Sequence, residues 1–200
     1  MRASERDETT RAVFRSQVAT LDQRRFIFVD ETSTHTSMTR RYARAPRGQR
    51  AYGVVPRNHG HRVSVIGALG VQGLVAAMSV DGAVDTDVFN VFVERVLVPV
   101  LRPGDVVLLD NLSVHHASKI EHAVTAVHGA VHFLPSYSPD FSPIEPCWSK
   151  IKTCLRTVAA RTRQRLETAL TNALRTVQPD NCLAWFRHCG YLVSSECNSL

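Results

Sequence analysis

Asp30 and Asp110 share one context: each closes a run of four apolar residues, Phe26-Ile27-Phe28-Val29 and Val106-Val107-Leu108-Leu109. Short apolar runs of this kind read as buried strands. In an open α/β sheet, the residue leaving a strand's carboxyl end stands where sites are built. If the two strands are neighbours, both carboxylates reach one sheet edge, and a buried, unpartnered pair there calls for a cation between them. The alternative is that each Asp merely caps a turn. A third acid, Glu145, lies in Ser142-Pro143-Ile144-Glu145, which reads as a capping box with Ser142 as N-cap, Pro143 at the first helical position and Glu145 reaching back. The apolar stripe of that helix is Ile144, Trp148, Ile151 and Leu155, and Glu145 falls off it, on a face with Ser149, Lys152 and Arg156. Spacing alone suits a metal ligand at the head of a phosphate track and an ordinary helix cap equally.

The rest of the chain must frame these acids. Val13, Phe14, Val18 and Leu21 among charged residues predict a short helix and a linker over residues 1–25. A strand over 26–29 ends on Asp30. The Arg-rich stretch 40–57, punctuated by Pro46, Gly48, Gly53 and Pro56, reads as loop and irregular strand. Strands over 62–69 and 74–79 follow, joined by a turn at Gly70-Val71-Gln72-Gly73. Val88, Phe92, Val96 and Val100 repeat at helical spacing over 85–100, with Asp85 or Thr86 as N-cap. Next come a strand at 106–109, a helix at 117–127, a strand at 131–134, a turn-rich loop at 135–140, the helix opening at Ser142-Pro143, and helices at 163–177 and 180–189. Strands in a meander and then strands alternating with helices imply a mixed sheet with helices packed on its faces.

Composition narrows the partners. The chain has 200 residues, 44% of them hydrophobic, with a net charge of +6 and a pI of about 9.4. Residues 40–62 hold seven arginines (Arg40, Arg41, Arg44, Arg47, Arg50, Arg57, Arg62) and no acid, and residues 150–165 hold six basic residues and no acid. Acid-free basic clusters flanking an acidic site favour an anionic polymer, and arginine pairs with phosphate bidentately. No G-x-G-x-x-G follows a strand, which disfavours a nucleotide-binding enzyme. The N-terminus is polar and no run approaches the roughly 18 apolar residues of a membrane span, so a cytoplasmic address is the expectation. The five cysteines form no C-x-x-C pair and read as reduced thiols in packed helices.

Four segments then converge. VDET at 29–32, RRYARAPRGQR at 40–50, LLDNLSVHH at 108–116 and LPSYSPDFSPIEPCWSKIK at 134–152 together resemble bacterial insertion-sequence transposases of the mariner superfamily, most of all the insertion-sequence 630 family. The resemblance covers nearly all of the chain from Phe26 onward, and the 34 residues between Asp110 and Glu145 match the interval expected in that superfamily. It implies an α/β, ribonuclease-H-like fold, a mixed five-stranded sheet with helices on both faces. It also implies a DDE triad in which Asp30, Asp110 and Glu145 are catalytic and ligate metal. Asn111 and His115 take supporting positions, and Arg40, Arg41, Arg44, Arg47, Arg50, Lys150, Lys152 and Arg156 contact DNA. The implied activity is metal-dependent cleavage of DNA at transposon ends and strand transfer to target DNA, using two Mg2+ ions for which Mn2+ can substitute. Double-stranded DNA and a homo-oligomer formed on it are the implied partners.

The matching organisation is an N-terminal helical linker (1–25), a catalytic core (26–160) and a C-terminal helical extension (161–200). Ser142 and Ser113 depart from the Asn and Gly common in the family. Only about 25 residues precede the first strand, too few for the family's DNA-reading helix-turn-helix. A separately encoded helix-turn-helix product is therefore expected; the alternative is a catalytically silent or truncated remnant that only binds DNA or a partner.

Overall fold

The structure, a computed structural model, describes residues 5–58, 60–110 and 117–193. Five strands, β1 (Phe26–His35), β2 (Arg62–Gly70), β3 (Gly73–Asp81), β4 (Val106–Leu109) and β5 (Ala130–Phe133), form one sheet in the order β3-β2-β1-β4-β5. β1–β2 and β2–β3 pair antiparallel, whereas β1–β4 and β4–β5 pair parallel. The expected mixed five-stranded sheet is thus the observed one. Its elements follow the sequence pattern closely, with the β2–β3 turn at Val71-Gln72 and β4 on its expected residues.

One expectation fails usefully. β1 does not end on Asp30 but runs five residues further, paired with β2 from Phe28↔Leu69 to His35↔Arg62. Thr32 and Thr34 are buried at alternate positions, and the Thr34 hydroxyl donates to the Val63 carbonyl at 2.8 Å. Alternating β-branched residues suit a pleated strand, so Asp30 sits inside a long strand rather than at its tip. The parallel ladder nevertheless stops at Val29↔Leu109, because β4 is only four residues long. An edge exists at Asp30 because its neighbour ends there.

Side chains of a strand alternate between faces. Phe26 and Phe28 of β1, Val63, Val65 and Leu69 of β2, and Val106 and Leu108 of β4 belong to one buried cluster. Ile27, Val29, Ile66, Ala68, Val107 and Leu109 belong to the other. The first face is covered by α1 (Glu8–Ala19), which contributes Phe14 and Val18. The second is covered by α2 (Thr86–Phe92), which widens into a π turn at Val93–Leu97 and then tightens into a 3-10 turn at Val98–Val100, and by α3 (Ala117–Thr125).

Returning to the first face, α4 (Ile144–Val158) buries Ile144, Trp148, Ile151 and Leu155, the expected stripe, together with Cys147. Against it pack α5 (Arg163–Arg175) and α6 (Pro179–His188). The residue parity that puts Phe26 and Phe28 under α4 also aims Asp30 at that helix. Residues 39–58 carry no regular structure, and Tyr42, Tyr52 and Val54 there are almost fully exposed. Where this arm leaves the sheet, the Arg161 guanidinium donates to the carbonyls of Thr36 and Met38 at 2.9 and 3.0 Å. No helix among the described residues is long and apolar enough to cross a membrane.

Candidate active site

Register places the first two acids. Val29 faces Leu109 at the end of the parallel ladder, so Asp30 and Asp110, one residue further on each strand, emerge side by side. Glu145 comes from above, in the first turn of α4. The three carboxylates line one cleft of about 280 Å³, whose floor is Val29 and whose far wall is the loop from Leu134 to Pro139. Among the described residues, no basic side chain lines the cleft.

The electrostatics follow from that crowding. Burial pushes the Asp30 carboxyl up to about 6, and the Glu145 charge adds to the shift, while hydrogen bonds from the Glu31 backbone and the Trp148 indole oppose it. The Trp148 Nε1–H donates to Asp30 Oδ2 at 3.0 Å. Glu31, which sequence reasoning passed over, is also raised, first by desolvation and then by the Asp110 charge. The cleft thus gathers the carboxyl groups of Asp30, Asp110 and Glu145, with Glu31 close to Asp110.

Among the described residues, no three His, Cys, Asp or Glu side chains close around a single point as a completed metal shell would. Mutually repelling carboxylates stay apart until a cation draws them together. The donor set that Asp30, Asp110 and Glu145 offer consists of carboxylate oxygens, which fits a hard divalent ion.

The capping-box reading of Glu145 is not what the structure has. Pro143, already helical at φ −61° and ψ −17°, is the N-cap, and no side chain caps α4. Ser142 is buried and extended, and its contribution is a carbonyl that accepts the Glu145 N–H at 3.1 Å. A proline just ahead of the helix fixes the entry angle, which leaves the Glu145 side chain out of capping. Asn111 and His115 lie outside the described residues.

The loop that leads into Glu145 is gripped from two sides. Arg11 of α1, with no exposed side-chain surface, donates to both carboxylate oxygens of Asp140 at 3.1 and 2.6 Å and stacks over the Phe141 ring at 3.9 Å. Phe14 stacks on Phe141 as well, and the Tyr191 hydroxyl donates to the Phe141 carbonyl at 2.7 Å. Asp140, an acid within the 134–152 segment, is therefore occupied in structure rather than chemistry. The arrangement was hidden in the sequence because Arg11 and Asp140 are 129 residues apart.

The basic residues divide. Lys152 and Arg156 lie along the Glu145 face of α4, half-buried. Desolvation and then the Arg41 charge hold Arg156 below its usual value, so the two basic clusters meet. Arg40, Arg41, Arg44, Arg47 and Arg50 are exposed on the irregular arm. Lys150 is engaged within the fold: its ammonium donates to the Thr176 carbonyl at 2.5 Å and to Asn181 Oδ1 at 2.6 Å, tying α4 to α5 and α6. Arg163 is likewise engaged, with Asp81 and Glu167 at 2.8 Å each. Cys147, Cys154, Cys182 and Cys189 are free thiols; burial raises Cys147 and Cys189 to about 12 and Cys182 to about 11.

The fold and the site together define a ribonuclease-H-like endonuclease domain, and the comparisons agree. The family model of the DDE superfamily endonucleases matches residues 25–167, and the chain belongs to that family. Among solved structures, the Mos1 strand transfer complex superposes with a TM-score of 0.71 at 15% identity, covering 92% of this chain and 57% of that one. The Mos1 mariner paired end complex with Mn gives 0.67 at 13% identity over 91% of this chain and 57% of the other. The Mos1 transposase catalytic domain with Raltegravir and Mg gives 0.59 at 12% identity, covering 91% and 87%. The chain thus spans a little over half of the longer Mos1 chains and most of the catalytic domain. No curated protein matches the sequence.

Proposed function

We propose that this chain is the catalytic domain of a transposase of the mariner superfamily, in the insertion-sequence 630 branch, and that it cuts double-stranded DNA at element ends and transfers the freed strand to target DNA. The observation that carries the reading is the meeting of Asp30 and Asp110 at the end of the parallel ladder, with Glu145 lining the same cleft. The Mos1 relatives, described as paired end complexes with Mg and Mn and as a strand transfer complex, support it by fold.

Asp30, Asp110 and Glu145 would hold two Mg2+ ions, or Mn2+ in their place. Bound there, such ions would supply charge neutralisation for phosphoryl oxygens and activation of a water. The loop from Leu134 to Pro139 lines the cleft. Lys152 and Arg156 continue the Glu145 face for about 16 Å of helix, eleven residues at 1.5 Å each, a length suited to successive backbone phosphates. The exposed arginines of the arm would grip DNA from the other side. Assembly into a homo-oligomer on DNA completes the proposal.

The test is Mg2+- or Mn2+-dependent nicking of an element-end duplex by the full chain. Asp110→Asn should abolish nicking while preserving the fold. Wild-type nicking by that variant would refute the triad.

A further inference from the structure

We infer that Trp148 is the positioning residue for Asp30, and that Gly67 is glycine so that it can be. The inference rests on the reading of Asp30 as a metal ligand given above.

Asp30 and Gly67 are partners across the β1–β2 ladder, and partners directly opposite on an antiparallel pair present side chains to the same face. A side chain at 67 would stand beside the Asp30 carboxylate. The indole takes that place instead. A Cβ at Gly67 would lie 2.6 Å from Cη2 and 3.0 Å from Cζ2 of Trp148, so the ring rests directly on the glycine. From there Nε1 reaches Asp30 Oδ2 at 3.0 Å. The indole is 2% exposed, and its N–H is a donor only, so burial commits it to an acceptor.

Trp148 is also three residues after Glu145 on α4, and residues three apart are helix neighbours. One turn of α4 therefore presents the third acid and holds the first in a fixed rotation. Carboxylate ligands held by a hydrogen bond behind them bind metal more tightly, by 10- to 100-fold in typical cases. Packing alone would be satisfied by any large apolar ring at 148. The position of Gly67 under that ring and the bond to Asp30 are what a core role leaves unexplained.

The experiment is calorimetric Mn2+ titration of the full chain, with thermal unfolding as a check on folding. Asp110→Asn should lose the carboxylate-dependent heat. Trp148→Phe keeps the ring and loses the donor; it should fold and bind Mn2+ roughly 10-fold more weakly. Gly67→Ala keeps the indole and pushes it off Asp30, and should weaken binding in the same direction. A third measurement uses the fact that the chain has two tryptophans. In a Trp185→Phe background, Trp148 is the sole emitter, and Mn2+ should quench it saturably at the calorimetric affinity. Should Trp148→Phe fail to fold, Gly67→Ala and the quenching titration decide. Wild-type Mn2+ affinity in Trp148→Phe or Gly67→Ala, with Asp110→Asn inactive in binding, would overturn the inference and leave the metal site standing. Wild-type affinity in Asp110→Asn would remove the metal site and the inference with it.

Discussion

At the scale of single residues, Asp30 carries an opposition between stability and chemistry. Its carboxyl titrates near 6 instead of near 3.8 because burial and the Glu145 charge penalise the ionised form. The folded chain therefore holds this proton more tightly than the unfolded chain does. Stability should fall as pH rises from about 4 to about 6 and stay low above, by at most about 3 kcal/mol. Asp30→Asn should flatten that dependence and raise the metal-free melting temperature at pH 7 while abolishing nicking; a melting temperature at or below wild type at that pH would contradict it. Mg2+ should recover stability in the wild type more at pH 7 than at pH 5. The apolar run ahead of it marked this acid in the sequence. Its raised pKa was not legible there, since Glu145, whose charge adds to the shift, lies 115 residues away.

At the scale of elements, the sequence pattern predicts types better than ends. β4 matches its apolar run because burial on both faces leaves no other reading. β1 outruns its apolar run because Thr32 and Thr34 continue the alternation in a polar guise. α4 starts one residue late for a capping box, and that shift takes Glu145 from a local role to a distant one. The most consequential unpredicted contact joins α1 to the turn ahead of α4. Arg11 is sealed between Asp140 and Phe141, and its Nε lies 3.5 Å from Glu8 Oε2 without a hydrogen bond. Arg11→Ala removes both the ion pair and the stacked surface. Because Asp140 is half exposed, the cost should be nearer about 2 kcal/mol than the 3–5 of a fully buried pair. That corresponds to a melting temperature lower by roughly 4–8 °C in a chain of this length. Nicking should fall by more than the folded fraction does, since the turn that aims Glu145 is loosened. An unchanged melting temperature would show that the turn holds itself.

At the scale of the whole molecule, a net charge of +6 says little about where DNA lies, and the folded geometry says more. The second basic cluster splits by use: Lys150 ties three helices, Arg161 anchors the arm, and Arg163 is paired with Asp81 and Glu167. Lys152 and Arg156 remain on the face that begins at Glu145, with Arg41 close enough to Arg156 to disfavour its charge. Two like charges brought together are a cost in the free protein, which a phosphate between them repays. Each backbone-phosphate contact contributes about 0.9 to the slope of log affinity against log salt on duplex DNA. Arg41→Ala and Arg156→Ala should each lower that slope by about 1 and weaken binding alike on all sequences. Lys150→Ala should leave the slope unchanged and lower the melting temperature instead, because the acceptors it leaves are internal. Salt titrations of duplex binding for the three variants separate these outcomes, and a reduced slope for Lys150→Ala alone would reverse the assignment.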